Sequence, residues 1–287
     1  MKSNTKPSKV DNVLEFDQEA IARREQAVAL ETDDQILERL AERFQVLTDM
    51  TKAVKAGDVR AMIVTGPPGV GKSYNVEQVL DKYDLLNKLQ DRPRYEIVKG
   101  AMSALGLYAK LYEFSDPKSV LVFDDCDTVL LDELALNILK GALDSGSKRV
   151  IAWNTDSRLL KAESIPDRFD FKGAAIFITN IKFEHVRSKK LRAHLDALES
   201  RCHYIDLQMD TNREKILRIR QVVKDHDMLA RYDLGAAAER ELIDYVVDNQ
   251  NQLRELSLRM VLKLADLRRS FPNSWRAMSK TTCMRRS

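Results

Sequence analysis

Cysteine, histidine and long apolar runs are scarce in this chain of 287 residues, and each scarcity removes a class of protein. The three cysteines, Cys126, Cys202 and Cys283, are scattered, with no Cys-x-x-Cys pair. An odd count at such spacing excludes a disulfide scaffold and fits a reducing compartment. The four histidines, His185, His194, His203 and His226, show no metal-ligand spacing, so no structural zinc is expected. No apolar run is long enough for a membrane span and the N-terminus has no signal-peptide core, so the expectation is a cytoplasmic protein with no membrane partner. An excess of one charge is lacking too. The 47 Lys and Arg against 44 Asp and Glu leave +3, which permits a nucleic-acid partner without arguing for one. What remains, at 44 % hydrophobic and 32 % charged residues, is a globular protein with a charged surface, sized for one large domain or a medium domain plus a small one.

What is present begins with Gly66-Pro67-Pro68-Gly69-Val70-Gly71-Lys72-Ser73. It fits G-x-x-x-x-G-K-[ST], a phosphate-binding loop. Its glycines let the backbone turn tightly and bring N–H groups close to a polyphosphate. Lys72 reaches the β and γ phosphates as a point charge, and Ser73 offers a hydroxyl to Mg²⁺. A helix starting there adds unpaired N–H groups and a positive dipole end. The context is right: Ala61–Thr65 reads as a buried strand, and Val76, Val79, Leu80 and Tyr83 recur at helical spacing. The expected nucleotide-contacting set runs from Gly66 through Tyr74.

Residues 1–30 read as a flexible N-terminal segment. A helix is expected from Asp33, with Thr32 and Gln35 as a capping box and Ile36, Leu40, Phe44, Leu47 and Val54 on one face. Further strands are expected at 95–98, 119–125, 174–180 and 203–207, with helices at 103–114, 131–143 and 188–198 between them. The piece 149–171 reads as a hairpin or a long excursion. Alternating strands and helices from 60 to 207 argue for a parallel α/β sheet covered on both faces. After 210 the pattern is helical, with candidates 212–223, 234–247 and 253–267. The expected domains are 31–208, a large α/β domain, and 209–267, a small helical one. The stretch 268–287 is a basic tail: it carries Arg268, Arg269, Arg276, Lys280, Arg285 and Arg286 and no acid. With Phe271 and Trp275 interleaved, it could track a phosphate backbone and stack on bases, or be solvated and disordered.

Four apolar residues running into Asp124-Asp125 look like a buried strand ending in a metal site. Asp124 is the expected Mg²⁺ partner of Ser73, and Asp125 an acid to orient the attacking water; the alternative is acids capping the next helix. Asn180 ends a neighbouring strand, where its amide could bond the water or the γ-phosphate, or form a turn. Arg201 follows a helix end; an arginine there could stabilise transition-state charge from another subunit, or be a solvated terminal residue. Arg254 and Arg259 are alternatives for a cation reaching back from the small domain.

In this order and spacing, the chain resembles the AAA+ ATPase family over about residues 31–267. Gly66–Ser73 matches the first nucleotide motif, Val120–Asp125 the second, and Thr179-Asn180 looks like the first sensor. Ser200-Arg201-Cys202 is similar to the arginine-finger motif of clamp loaders, and Leu253-Arg254-Glu255-Leu256 resembles the second-sensor helix of bacterial replication initiators. The whole looks like compact ATPases encoded by bacteriophages. The resemblance implies an AAA+ P-loop parallel sheet with a helical lid domain. It implies ATP and Mg²⁺ bound at subunit interfaces of a homo-oligomeric ring, a hexamer in the expectation, that remodels a macromolecular partner. DNA, or a replication or recombination protein, is the expected partner. Lys72, Asp124, Asp125, Asn180, Arg201 and Arg254 would be catalytic, Ser73 and Asp124 metal-binding. One departure is Asp125, where the family has Glu; it favours the alternative of a slowly hydrolysing, ATP-gated loader or binding module, or a protein remodeller.

Overall fold

The computed structural model describes residues 26, 28, 30–89 and 92–286; the expectation for residues 1–30 falls almost wholly outside them. The described chain divides into two compact units. One comprises Arg43–Gly66 and Lys72–Leu207, the other 30–42, Pro67–Gly71 and 208–286.

Helix α1 (Asp33–Ala56) starts where its capping signal stands. Thr32 N–H donates to Gln35 Oε1 at 2.8 Å, and Gln35 N–H to Thr32 Oγ1 at 3.3 Å, so two donors without helical partners are satisfied. Its predicted stripe, Ile36 to Val54, is buried. In the first unit, β1 (Ala61–Thr65), β2 (Tyr95–Lys99), β3 (Val120–Asp124), β6 (Ala174–Thr179) and β7 (His203–Asp206) form one parallel sheet in the order β2-β3-β6-β1-β7. Strands β1, β3 and β6 are buried at every residue, as strands covered on both faces must be. Alternation sends Ile63, Leu121, Phe123 and Phe177 to one face. There they join one core with Leu107, Leu136, Leu139 and Leu195, from α3 (Ala104–Glu113), α5 (Glu133–Ala142) and α7 (Lys189–Glu199). Each such side chain contributes roughly 1.5–3 kcal/mol by leaving water. Met62, Val64, Ile176 and Ile178 point to the other face and are equally buried. Helix α2 (Lys72–Leu89) is tied to α1 by Lys55 Nζ on Asp84 Oδ1 at 2.7 Å and by Asn75 on Thr48.

The piece 149–171 is a hairpin. Strands β4 (Val150–Ala152) and β5 (Arg168–Asp170) pair antiparallel outside the main sheet, with α6 (Arg158–Ala162) in the connection. Ile151 opposes Phe169, and the Phe169 ring packs edge-on against Tyr108 and Tyr112. A further short helix, α4 (Asp127–Leu130), precedes α5.

The second unit holds α8 (Asn212–Asp225), α9 (Ala236–Asp248), α10 (Leu258–Ser270) and α11 (Trp275–Thr282) around Leu242, Val246, Val261, Leu264 and Trp275. A capping box of Thr211 and Glu214 starts α8. Two expectations are corrected here. The last long helix begins at Leu258 rather than Leu253, because Ser257 caps it: its Oγ accepts from Met260 N–H at 3.2 Å. The basic stretch is itself folded. Helix α11 packs Trp275 against Tyr245 at 4.8 Å, and Leu253 pairs with Met284 in an antiparallel bridge. Trp275 is 3 % exposed and so offers no face to a base, whereas Phe271 is exposed.

Candidate functional site

The phosphate loop follows a strand that is hydrogen-bonded on both sides, so its start is fixed in place. Gly66 has φ +150°, and a Cβ there would stand 3.0 Å from the Leu207 carbonyl oxygen. Gly69 has φ +68°, and a Cβ there would stand 2.8 Å from Ser257 Cβ. Its carbonyl accepts from Leu258 N–H at 2.9 Å. The helix that opens at Lys72 has no acid in its first turn, which leaves its positive end available to an anion. Val70 and Lys72 are buried, while Pro68 and Tyr74 are exposed.

Three chain segments converge on Lys72 and Ser73. Lys72 Nζ, in a residue only 6 % exposed, donates to Gly66 O at 2.8 Å and to Asn180 Oδ1 at 2.9 Å. The Asn180 amide in turn donates to Asp125 Oδ1 at 3.0 Å. Ser73 Oγ donates to Asp124 Oδ1 at 2.6 Å, and Lys99 Nζ lies 3.5 Å from the other Asp124 oxygen. The sheet makes this possible: Asp124 and Lys99 are register partners on β3 and β2, and β6 beside β3 ends next to Asn180. Asp125 adopts φ +54°, a left-handed conformation strained for a side-chain-bearing residue, and its N–H donates to Ile178 O. A hydroxyl and a carboxylate side by side are the hard oxygen donors that Mg²⁺ takes, so the residues present fit that ion.

Beside these groups, burial and the neighbouring acids push the Cys126 thiol up to about 11, and it donates to Val98 O; at neutral pH it is no nucleophile. Burial raises the Asp127 carboxyl, opposed by the hydrogen bond from Thr179 Oγ1.

The remaining expected residues make other contacts. Arg201 lies at the end of α7, with Nη1 on Ala197 O at 2.5 Å and Nη2 3.9 Å from Asp144 Oδ1. Arg254 precedes α10 instead of lying in it, and its Nε donates to Met284 O at 2.8 Å. The expectation of a helix-borne Arg254 fails because Ser257 starts the helix after it. Arg259, its alternate, is in the first turn of α10, with Cγ 3.5 Å from the Cβ position of Gly69. Sequence reasoning passed over Lys99 and Arg218. Arg218 is 8 % exposed, its guanidinium 3.8 Å from the Cβ position of Gly71, and burial lowers it to about 10. Its signal was a cation inside the apolar run Ile216-Leu217-Arg218-Ile219.

No family model matches the chain. Over 239 residues it is 36 % identical to the "uncharacterized 36.7 kDa protein in nrdC-mobD intergenic region" of Enterobacteria phage T4, a match covering 83 % of this chain and 72 % of that one. The chain belongs to that protein's family. Among solved structures it is similar to replication initiator DnaA bound to AMPPCP and single-stranded DNA (13 % identity, TM-score 0.45, covering 82 % of this chain and 63 % of that one). It is also similar to a point mutant of RuvB from Thermotoga maritima (14 % identity, TM-score 0.43, 82 % and 64 %). The chain thus spans less than two thirds of either solved chain's length. The chain itself has a parallel sheet with a phosphate-loop motif after β1, followed by a helical region.

Proposed function

We propose that this protein binds Mg-ATP at Gly66–Ser73 and hydrolyses it, as a homo-oligomer acting on DNA or a DNA-bound protein. The observation that carries the reading is the convergence of the loop lysine, Asn180 and Asp125 in one hydrogen-bonded chain, with Ser73 on Asp124 beside it. The loop N–H groups and Lys72 hold the phosphates. Ser73 and Asp124 would hold Mg²⁺, which when bound neutralises charge on the phosphate oxygens. Asp125 accepts the proton of the attacking water, and Asn180 orients that water by its amide. Arg259, beside the loop, takes the lid-sensor role in place of Arg254. Arg201 acts on the site of a second copy; it supports this role that its guanidinium is held only loosely by an acid in its own chain.

The test is steady-state ATP hydrolysis across protein concentrations, with and without single- and double-stranded DNA at fixed salt. The reading expects activity to rise cooperatively with concentration and further with DNA. Lys72→Ala should abolish nucleotide binding, and wild-type affinity in that variant would sink the reading. Arg201→Ala should bind ATP and not hydrolyse it. A second reading, a slow ATP-gated loader, is favoured by the hydrogen bond that holds the short, strained Asp125 on Asn180; it expects tight ATP binding and a flat, near-zero rate.

A further inference from the structure

The second unit is polarised in charge. Helix α9 carries four acids and one base, whereas residues 253–286 carry nine bases and two acids. Four of those bases are occupied. Lys263 pairs with Glu255, Arg268 and Arg276 with Glu241, and Arg269 lies over the Tyr232 ring. Arg254, Arg285 and Arg286 form no ion pair among the described residues. All three are exposed.

The backbone forces these three together across 30 residues of chain. Leu253 pairs with Met284 and both are buried. Arg254 N–H donates to Cys283 O at 3.0 Å, and Arg285 N–H to Gln252 O at 2.8 Å. Leu253 and Met284 are buried at the bridge, while the residue that follows each, Arg254 and Arg285, is exposed. Arg254 Nε rests on Met284 O, which lays its guanidinium along the peptide that leads into Arg285. Arg286 follows, and the exposed amides of Asn251 and Gln252 adjoin. Like charges held at this spacing repel one another, and no acid among the described residues pairs with them to relieve it. A polyanion would.

We propose that the Arg254–Arg285–Arg286 edge is a nucleic-acid contact that grips consecutive backbone phosphates. Guanidinium groups and amides suit phosphate oxygens. With Trp275 buried, that ring gives bases no platform, and guanidinium contacts to backbone phosphates are indifferent to sequence. The inference deepens the DNA partner of the proposed function, but its test is independent of the ATP site.

Binding of a labelled 30-nucleotide single strand, and of the matching duplex, is measured by anisotropy without nucleotide, from 50 to 300 mM salt. Each duplex phosphate contact adds about 0.9 to the slope of log affinity against log salt. Arg285→Gln/Arg286→Gln should flatten that slope by about 1.8 and weaken duplex binding roughly 60-fold at 0.1 M salt. Arg285→Lys/Arg286→Lys should restore most of both. An unchanged melting temperature in the Gln variant would show that the loss is not unfolding. An unaltered slope in the Gln variant overturns the proposal, as does equal binding of poly-glutamate of the same length. Hydrolysis without DNA should be unchanged in the Gln variant. If wild type binds DNA but hydrolyses nothing, the ATP reading falls and this one stands.

Discussion

Gly69→Ala is the substitution whose effect can be worked out most fully. Its φ of +68° would put an alanine in the left-handed region, at about 1–2 kcal/mol. The new Cβ would meet Ser257 Cβ at 2.8 Å, well inside the ~3.5–4.0 Å of carbon contact. Relieving that overlap costs about 1–3 kcal/mol. The expected loss is therefore ~2–5 kcal/mol. Ser257→Gly separates the two parts. Glycine is nearly as good an N-cap, so it costs only about a few tenths of a kcal/mol alone, yet it removes the atom that the new methyl group would strike. The double variant should keep the φ cost and recover the rest, a coupling of about 1–3 kcal/mol. Urea unfolding followed by Trp275 fluorescence in a Trp153→Phe background reads the unit that contains both residues. Strictly additive effects, or Gly69→Ala within about 0.5 kcal/mol of wild type, would refute the reasoning.

Asp84→Ala should lose ~3–5 kcal/mol, because it removes the buried carboxylate that pairs with the mostly covered Lys55 ammonium; denaturant titration decides, and a loss under about 1 kcal/mol contradicts the reading of a desolvated pair. The Asp127 carboxyl is raised above its ordinary 3.8, so its contribution is fully present below that pH and is lost as pH rises through the folded value. Asp127→Asn, which keeps an acceptor for Thr179, should therefore melt higher than wild type at pH 7, with the gap closing below pH 3.8; a gap independent of pH argues against burial as the cause.

Much of the fold was legible because it is written locally. The pair Thr32 and Gln35 announced α1, and buried four- and five-residue apolar runs announced the strands of the sheet. The start of α10 was not legible. Leu253, Leu256, Met260, Leu264 and Leu267 keep a helical period straight through Ser257, and Leu253 is buried by a strand-like bridge as deeply as a helix would bury it. Period alone cannot tell these apart, and so Arg254 was set on the wrong element. Trp275 misled in a similar way, since its basic neighbours hide an inward ring. At the candidate site, residue types could be named from motif spacing. That Lys72 bonds Asn180, and that Lys99 stands against Asp124, follows from sheet neighbours more than 20 residues apart in sequence, where no local signal reaches.

The order of strands also sets a timetable. Strand β1 lies between β6 and β7, so the apolar run Ala61–Thr65 finds its first partner only about 110 residues later in the chain. At ~5–20 residues per second of synthesis, that is roughly 5–20 s during which a strand hydrogen-bonded on both sides in the finished sheet has no strand to pair with. Over the same interval β2 and β3, close in sequence, can already pair. The segment that carries the phosphate loop is thus made early and finished late, and its safekeeping on a ribosome falls to whatever covers it in the meantime.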